Sequence, residues 1–310
     1  MISIIIATYN RAAYIAETLT SIANQTYKDF ECIIVDDGST DETESIVSSI
    51  EKNDSRFKYI KRPSSVPKGA NHSRNYGYSL SKGSYVKFFD SDDVMLPHHL
   101  EVSMKYLLDG NYDFVVGDCI NFNETGLLER PYEIDRTVAE LTAMRFTNFK
   151  TGWITNDLLV KSEFADQIEF AGSIRDQASE YQYNIKLLLL TQNGYLTNEI
   201  LSHRRIHDDG FVVKAEKDKK FLDLKNAELY YVTFNYLKSI APRELLEYLL
   251  DNHVQISFEL STRRVWPENI SGATSLLIKN KGVKGLLYPM AILIGYLTSK
   301  GYQVLKFIRK

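Results

Sequence analysis

Cysteine is scarce. There are two in 310 residues, Cys32 and Cys119, each inside an apolar run, and no spacing suggests a metal centre or a disulfide framework. That argues for a reducing compartment and against a stapled scaffold. The opening run Ile2-Ser3-Ile4-Ile5-Ile6 is too short for a signal h-region and lacks a basic lead. The expected location is therefore cytoplasmic. No glycine lies between Thr8 and Tyr14, so the first strand is not followed by the Gly-x-Gly-x-x-Gly turn of a nicotinamide dehydrogenase. Internal repeats and low-complexity linkers are also missing. Acidic residues are absent from Asn269 to Lys310, where there are seven Lys or Arg; with a chain total of −3, residues 1–268 carry −10. So acidic a body argues against nucleic acid as a partner.

What is present is an ordinary globular composition, 44% hydrophobic and 25% charged, long enough for two domains and a core without staples. The first half alternates strand and helix signals. Ile2–Ala7, Glu31–Val35, Phe57–Lys61, Tyr85–Phe89 and Asp113–Gly117 read as strands. Ala12–Asn24, Asp41–Ile50, Asn71–Ser81 and a segment opened by Pro97 read as helices, with Ser39 or Thr40 available to cap the second. This pitch predicts an α/β fold with a mainly parallel sheet flanked by helices. Beyond about Arg130 the pattern loosens. Ser179–Leu190 reads as a helix, and from about residue 214 the chain is mostly helical, as in Phe221–Leu237 and Arg243–Leu260. The expected division is residues 1–213 as an α/β domain and 214–310 as a helical C-terminal region.

Ligands of open parallel sheets bind outside the carboxyl ends of the strands. Three polar clusters directly follow apolar strands: Thr8-Tyr9-Asn10-Arg11, Asp36-Asp37-Gly38-Ser39 and Asp90-Ser91-Asp92-Asp93. One such cluster is an ordinary capped turn; three at one sheet edge converge on a site. The crowded carboxylates of Asp90, Asp92 and Asp93 repel one another unless donors or a cation neutralise them. Hard oxygens of this kind suit Mn²⁺ or Mg²⁺, which would bridge a carboxylate to a diphosphate.

Ser3–Arg11, Val35–Asp41, and Arg74-Asn75-Tyr76-Gly77 running to Phe89–Asp93 resemble, in order and spacing, family 2 glycosyltransferases of the GT-A fold. The resemblance spans residues 1–97 strongly and weakens to about His207. It implies an inverting transfer from a nucleotide sugar. Ala7, Thr8 and Tyr9 would line the base, and Asp37 would accept from it, giving uridine selectivity. Arg74 would face the diphosphate. Asp90 would contact the ribose or the metal, and Asp92, helped by Asp93, would hold the metal. The family places an acidic pair at the start of a helix to supply the general base. Here Glu180 aligns with the second acid and Ser179 replaces the first, which leaves Asp176, four residues earlier, as a rival. Arg205 and His207 resemble a basic segment near the diphosphate or its metal. Trp153 lies where the acceptor side is usually formed, with a core role as its alternative.

Gly285–Leu297 is thirteen residues without a charge, too short to span a bilayer, between Lys279, Lys281 and Lys284 on one side and Lys300, Lys306, Arg309 and Lys310 on the other. It suits peripheral contact with the anionic inner face of the cytoplasmic membrane, a core-closing helix, or a homo-oligomer interface. The expected activity is metal-dependent, inverting transfer of a hexosyl or N-acetylhexosaminyl unit, UDP-linked, to a glycan or lipid-linked acceptor. The implied context is surface polysaccharide synthesis such as capsule or lipopolysaccharide. The competing reading is a non-catalytic nucleotide-sugar-binding protein on the same fold.

Overall fold

The computed structural model describes the chain except residues 133, 135, 137–139, 173–175, 208–213, 215–216 and 310, together with the side chains of residues 176 and 177. It divides into two compact units, Met1–Ile206 and His207–Lys310. The boundary expected at 213/214 falls next to undescribed residues.

The first unit is built on nine strands among the described residues: β1 (Ile2–Thr8), β2 (Phe30–Asp36), β3 (Phe57–Lys61), β4 (Tyr85–Phe88), β5 (Val94–Met95), β6 (Phe114–Asn123), β7 (Gly126–Leu127), β8 (Leu158–Lys161) and β9 (Gly194–Arg205). Their order is β3-β2-β1-β4-β8-β6-β9-β5, with β7 on β6. The β3-β2-β1-β4 half is parallel throughout. The other half is mixed: β8 runs antiparallel to β4 and β6, β9 runs parallel to β6, and β5 runs antiparallel to β9. The sheet is thus less parallel than the alternation predicts, because that alternation persists only through the first four strands.

Helices α1 (Ile15–Ala23), α2 (Thr43–Asn53) and α3 (Ala70–Ser79) accompany the parallel half, α4 (His99–Asp109) packs on β6 and β9, and α5 (Ala143–Thr147), α6 (Ser162–Ala165) and α7 (Asp176–Leu190) follow. The strand residues of β1 and β2 are nearly all buried, as expected when helices cover both faces. Ile2, Ile4, Ile6, Leu19, Ile22, Ile34 and Val47 share one core with Leu100 and Met104 of α4. The second helix starts at Thr43 rather than Asp41, and neither Ser39 nor Thr40 caps it. Asp41 Oδ1 instead accepts from the Thr43 amide at 3.1 Å.

Two glycines shape the sheet edge. A Cβ on Gly77 would stand 2.7 Å from Ile5 Cγ2 and 3.0 Å from Val35 Cγ2, so its absence lets α3 sit close on β1 and β2. That approach carries Arg74 to the strand ends. Gly38, at φ +99°, makes the turn that follows β2.

The second unit is helical: α8 (Lys219–Leu237), α9 (Arg243–Thr262), α10 (Ile270–Lys281), a 3₁₀ segment (Gly282–Leu287), α11 (Tyr288–Thr298) and α12 (Tyr302–Arg309). Asp218 caps α8 through its Oδ1, which accepts from the amides of Lys220 and Phe221. Among the described residues no helix is long and apolar enough to cross a membrane.

Candidate active site

The three polar clusters meet at the carboxyl edge of β1, β2 and β4. The loop after β1 is knitted to the loop after β2. The Asn10 amide donates to Ser39 Oγ (2.9 Å), Thr40 N–H donates to Asn10 Oδ1 (2.8 Å), and the amides of Arg11 and Ala12 donate to Thr43 Oγ1 and Asp41 Oδ2. Asn10 adopts φ +50°, a left-handed conformation that asparagine tolerates. Asp36 is a structural member of this edge. It accepts from the Gly38 and Ser39 amides and, at 2.5 Å, from the Tyr59 hydroxyl.

Between the loops lies a cleft of about 450 Å³. Ala7, Thr8, Tyr9 and Asp37 line it together with Arg74, Asp90, Asp92 and Glu180, and so do Arg11 and Arg204. The nucleotide-binding residues expected from sequence are therefore brought together, with Glu180 beside them. Asp37 is 6% exposed and accepts from Arg62 Nε (2.5 Å) and from the Gly69 amide (3.1 and 3.0 Å). A carboxylate oxygen can accept more than one hydrogen bond, and Asp37 Oδ2 accepts from the Gly69 amide while the residue lines the cleft. The Tyr9 ring is exposed, with Lys68 Nζ 4.1 Å above its centroid.

Arg74 ties the site together. It is buried, its Nη2 donates to Asp90 Oδ1 at 2.8 Å and stands 3.7 Å from Glu180 Oε1, and its Nη1 donates to Asn71 Oδ1 at 3.3 Å. Ser179, where the family pattern has an acid, points inward: its hydroxyl is buried and donates to the same Asn71 Oδ1 at 2.8 Å, anchoring α7 to α3. The neighbouring Glu180 then turns to the cleft. Asp176 opens α7, but its side chain lies outside the described residues.

Three of the expected residues do not line the cleft. Asp93 is not a cleft residue. It is 3% exposed, its Oδ1 accepts from the Arg205 amide (2.7 Å) and its Oδ2 from Asn156 Nδ2 (2.5 Å). Burial, with Asp90 and Asp92 adding to it, raises its pKa well above the ordinary carboxyl range. A carboxyl so enclosed fastens the loop. Arg205 likewise faces away from the cleft. Its guanidinium donates to the Asp92 carbonyl (2.9 Å) and to Glu17 Oε2 (2.5 Å) and stacks over Tyr14 and Phe122. Its neighbour Arg204, unassigned from sequence, lines the cleft, and its guanidinium makes no hydrogen bond or ion pair among the described residues. Trp153 belongs to the core: it is 2% exposed, packs edge-on to Phe146 at 4.6 Å, and donates Nε1–H to Asn184 Oδ1 at 3.0 Å. His207 begins the second unit.

Among the described residues no group of three His, Cys, Asp or Glu forms a ready metal cage. Asp90 and Asp92 do line the cleft, and Arg11 Nε pairs with Asp92 Oδ2 at 3.3 Å. Two carboxylates at a cleft wide enough for phosphates fit Mn²⁺ or Mg²⁺, which bind few protein ligands and complete their shell with water and phosphate.

Comparison with known proteins agrees with this architecture. Residues 3–178 match the family model "Glycosyl transferase family 2". The glycosyltransferase GlyG of Streptococcus pneumoniae is 28% identical over 212 residues, 63% of this chain and 70% of that protein. The GalNAc(5)-diNAcBac-PP-undecaprenol beta-1,3-glucosyltransferase of Campylobacter jejuni is 33% identical over 166 residues, about half of each chain (50% and 53%). In fold, S. aureus TarS 1-349, solved with UDP-GlcNAc, superposes with a TM-score of 0.68 at 18% identity, covering 99% of this chain and 90% of that one. The mannosyltransferase PcManGT of Pyrobaculum calidifontis, solved with GDP-Man and Mn²⁺, gives 0.59 at 16%, covering 99% and 84%. The chain belongs to glycosyl transferase family 2 and carries its GT-A fold.

Proposed function

We propose that the chain transfers a hexosyl or N-acetylhexosaminyl unit from a UDP-sugar, with inversion, to a glycan or lipid-linked acceptor. The observation that carries this reading is Arg74, which spans Asp90 Oδ1 and Glu180 Oε1 and so brings a diphosphate-binding guanidinium, a carboxylate loop and a base into one cleft. Tyr9 offers its ring to the base, and Asp37 accepts the base's imide N–H. Glu180 takes the proton of the acceptor hydroxyl as its oxygen attacks the anomeric carbon. The bond from that carbon to the diphosphate breaks, and UDP leaves with the electron pair. Mn²⁺ or Mg²⁺ held by Asp92 and Asp90 supplies charge neutralisation to the diphosphate when bound. The UDP-GlcNAc bound to TarS and the undecaprenol-linked glycan named for the C. jejuni relative support the donor and acceptor classes. The first-unit residues would form the catalytic domain.

The test is Glu180→Gln, near-isosteric at a side chain 26% exposed. General-base assistance contributes about 10²–10⁴-fold, so kcat should fall by that order while UDP affinity by calorimetry stays within about twofold. Retained turnover would move the base elsewhere, with Asp176→Asn as the comparison. Wild-type protein that binds UDP-sugar with Mn²⁺ but neither transfers nor slowly hydrolyses it would be a binding protein.

A further inference from the structure

Helix α11 is apolar on two sides. Tyr288, Ala291, Ile292 and Gly295 are buried within the second unit, where α11 packs on α9. Opposite them, Val283, Leu286, Met290, Leu293 and Leu297 are 79, 61, 47, 47 and 58% exposed. Their spacing of three and four residues sets them in one stripe along the 3₁₀ segment and α11. No charge interrupts residues 285–299. A helix apolar all round is ordinarily covered all round, and exposed apolar side chains gathered in one stripe mark an interaction surface.

Charge identifies the covering surface. Phe307, 51% exposed, extends the patch, and Lys284 Nζ lies 4.8 Å over its ring. Lys279, Lys300 and Lys306 are exposed, and Asn269–Lys310 contains no acidic residue. A symmetric pairing of two copies through this stripe would set lysines against lysines. An anionic surface meets the same lysines with opposite charge. We infer that the outer face of α11 docks on an anionic lipid surface, its stripe entering the headgroup–acyl boundary and its lysines lying among the headgroups. The inference is independent of the chemistry proposed for the cleft.

The experiment is co-sedimentation of the full chain with vesicles of phosphatidylglycerol and phosphatidylcholine, against vesicles of phosphatidylcholine alone. The wild type should bind the anionic vesicles and leave the neutral ones. Each basic residue at such a surface contributes roughly fivefold in partition, so Lys300→Gln with Lys306→Gln should weaken binding about 25-fold. Met290→Ser with Leu293→Ser, at positions half exposed, should keep the helical circular dichroism and lose at least about tenfold. Equal binding to both vesicle types, or an apolar variant that binds like wild type, would overturn the inference. So would a wild-type dimer that ignores vesicles and becomes monomeric in the apolar variant, since a second copy would then cover the stripe.

Discussion

Asn156→Leu tests whether Asp93 is a fastener of the carboxylate loop. The substitution keeps the branched shape of the side chain at a residue 4% exposed and replaces its carboxamide by two methyl groups. The Asn156 carbonyl, which accepts from Lys87 Nζ at 2.5 Å, is untouched because it is backbone. What is lost is the 2.5 Å hydrogen bond to Asp93 Oδ2, leaving the Arg205 amide as the other donor that holds Asp93. Leaving a buried acceptor without its partner costs about 1–3 kcal/mol. In a unit of this size each kcal/mol moves the melting temperature roughly 2–4 °C, so a fall of about 2–12 °C is expected by differential scanning fluorimetry. Asp92 follows the same loop, so Mn²⁺-dependent UDP affinity should weaken as well, although Asn156 is not among the cleft residues. Asp92→Asn, by contrast, changes a cleft carboxylate paired with Arg11 and should weaken UDP binding with little change in melting. A variant that melts within 1 °C of wild type would show that Asn156 does not hold Asp93. Unchanged melting in Asp93→Asn would return Asp93 to the cleft chemistry.

Gly77→Ala should destabilise by about 1–3 kcal/mol in chemical denaturation, because the added methyl meets Ile5 and Val35 at 2.7 and 3.0 Å; a neutral effect would mean that α3 can lift from the sheet freely. Burial lowers the Lys87 pKa to about 7, against the opposing pull of Asp157. Above that pH the unfolded chain keeps a lysine proton that the folded chain has lost, so wild-type stability should rise relative to Lys87→Met by about 1.4 kcal/mol per pH unit from pH 7 to 9. A flat difference across that window would mean Lys87 stays charged. EDTA should abolish sugar transfer and Mn²⁺ should restore it; transfer at the untreated rate in EDTA would remove the metal from the proposed function.

The legible parts of the site were those encoded within one strand and its following turn. Thr8-Tyr9, Asp37 and Asp90 each end an apolar run, and the parallel register of β1 with β2 and β4 is enough to align them. The illegible parts depend on partners far along the chain. Whether Asp92 or Asp93 faces the cleft is decided by Asn156 and the Arg205 amide, 63 and 112 residues away. Trp153 becomes core because Asn184 of α7 satisfies its N–H and Phe146 takes its ring. Ser179 looked like the loss of an acid, yet its hydroxyl locks α7 to α3 and leaves Glu180 on the cleft side. Such pairings have no periodicity to betray them.

Arg204 and Arg205 show the same limit most sharply, and they bear on how a donor would enter. Successive residues of β9 point to opposite faces of the strand, so of two adjacent arginines only one can reach the cleft. The family resemblance points to Arg205, but Glu17, the Asp92 carbonyl and two aromatic rings hold its guanidinium. The cleft's other arginines are already engaged, Arg74 with Asp90 and Arg11 with Asp92. On the proposed reading, a diphosphate that approaches either must displace or share a carboxylate. Such an exchange returns less than a fresh ion pair, because one charge-assisted bond is lost as another forms. The Arg204 guanidinium makes no hydrogen bond or ion pair among the described residues, so an anion that meets it gives up no existing pair. On that reading the first electrostatic contact with a donor would fall to Arg204, and the rearrangement of the Arg74–Asp90–Glu180 group would follow it.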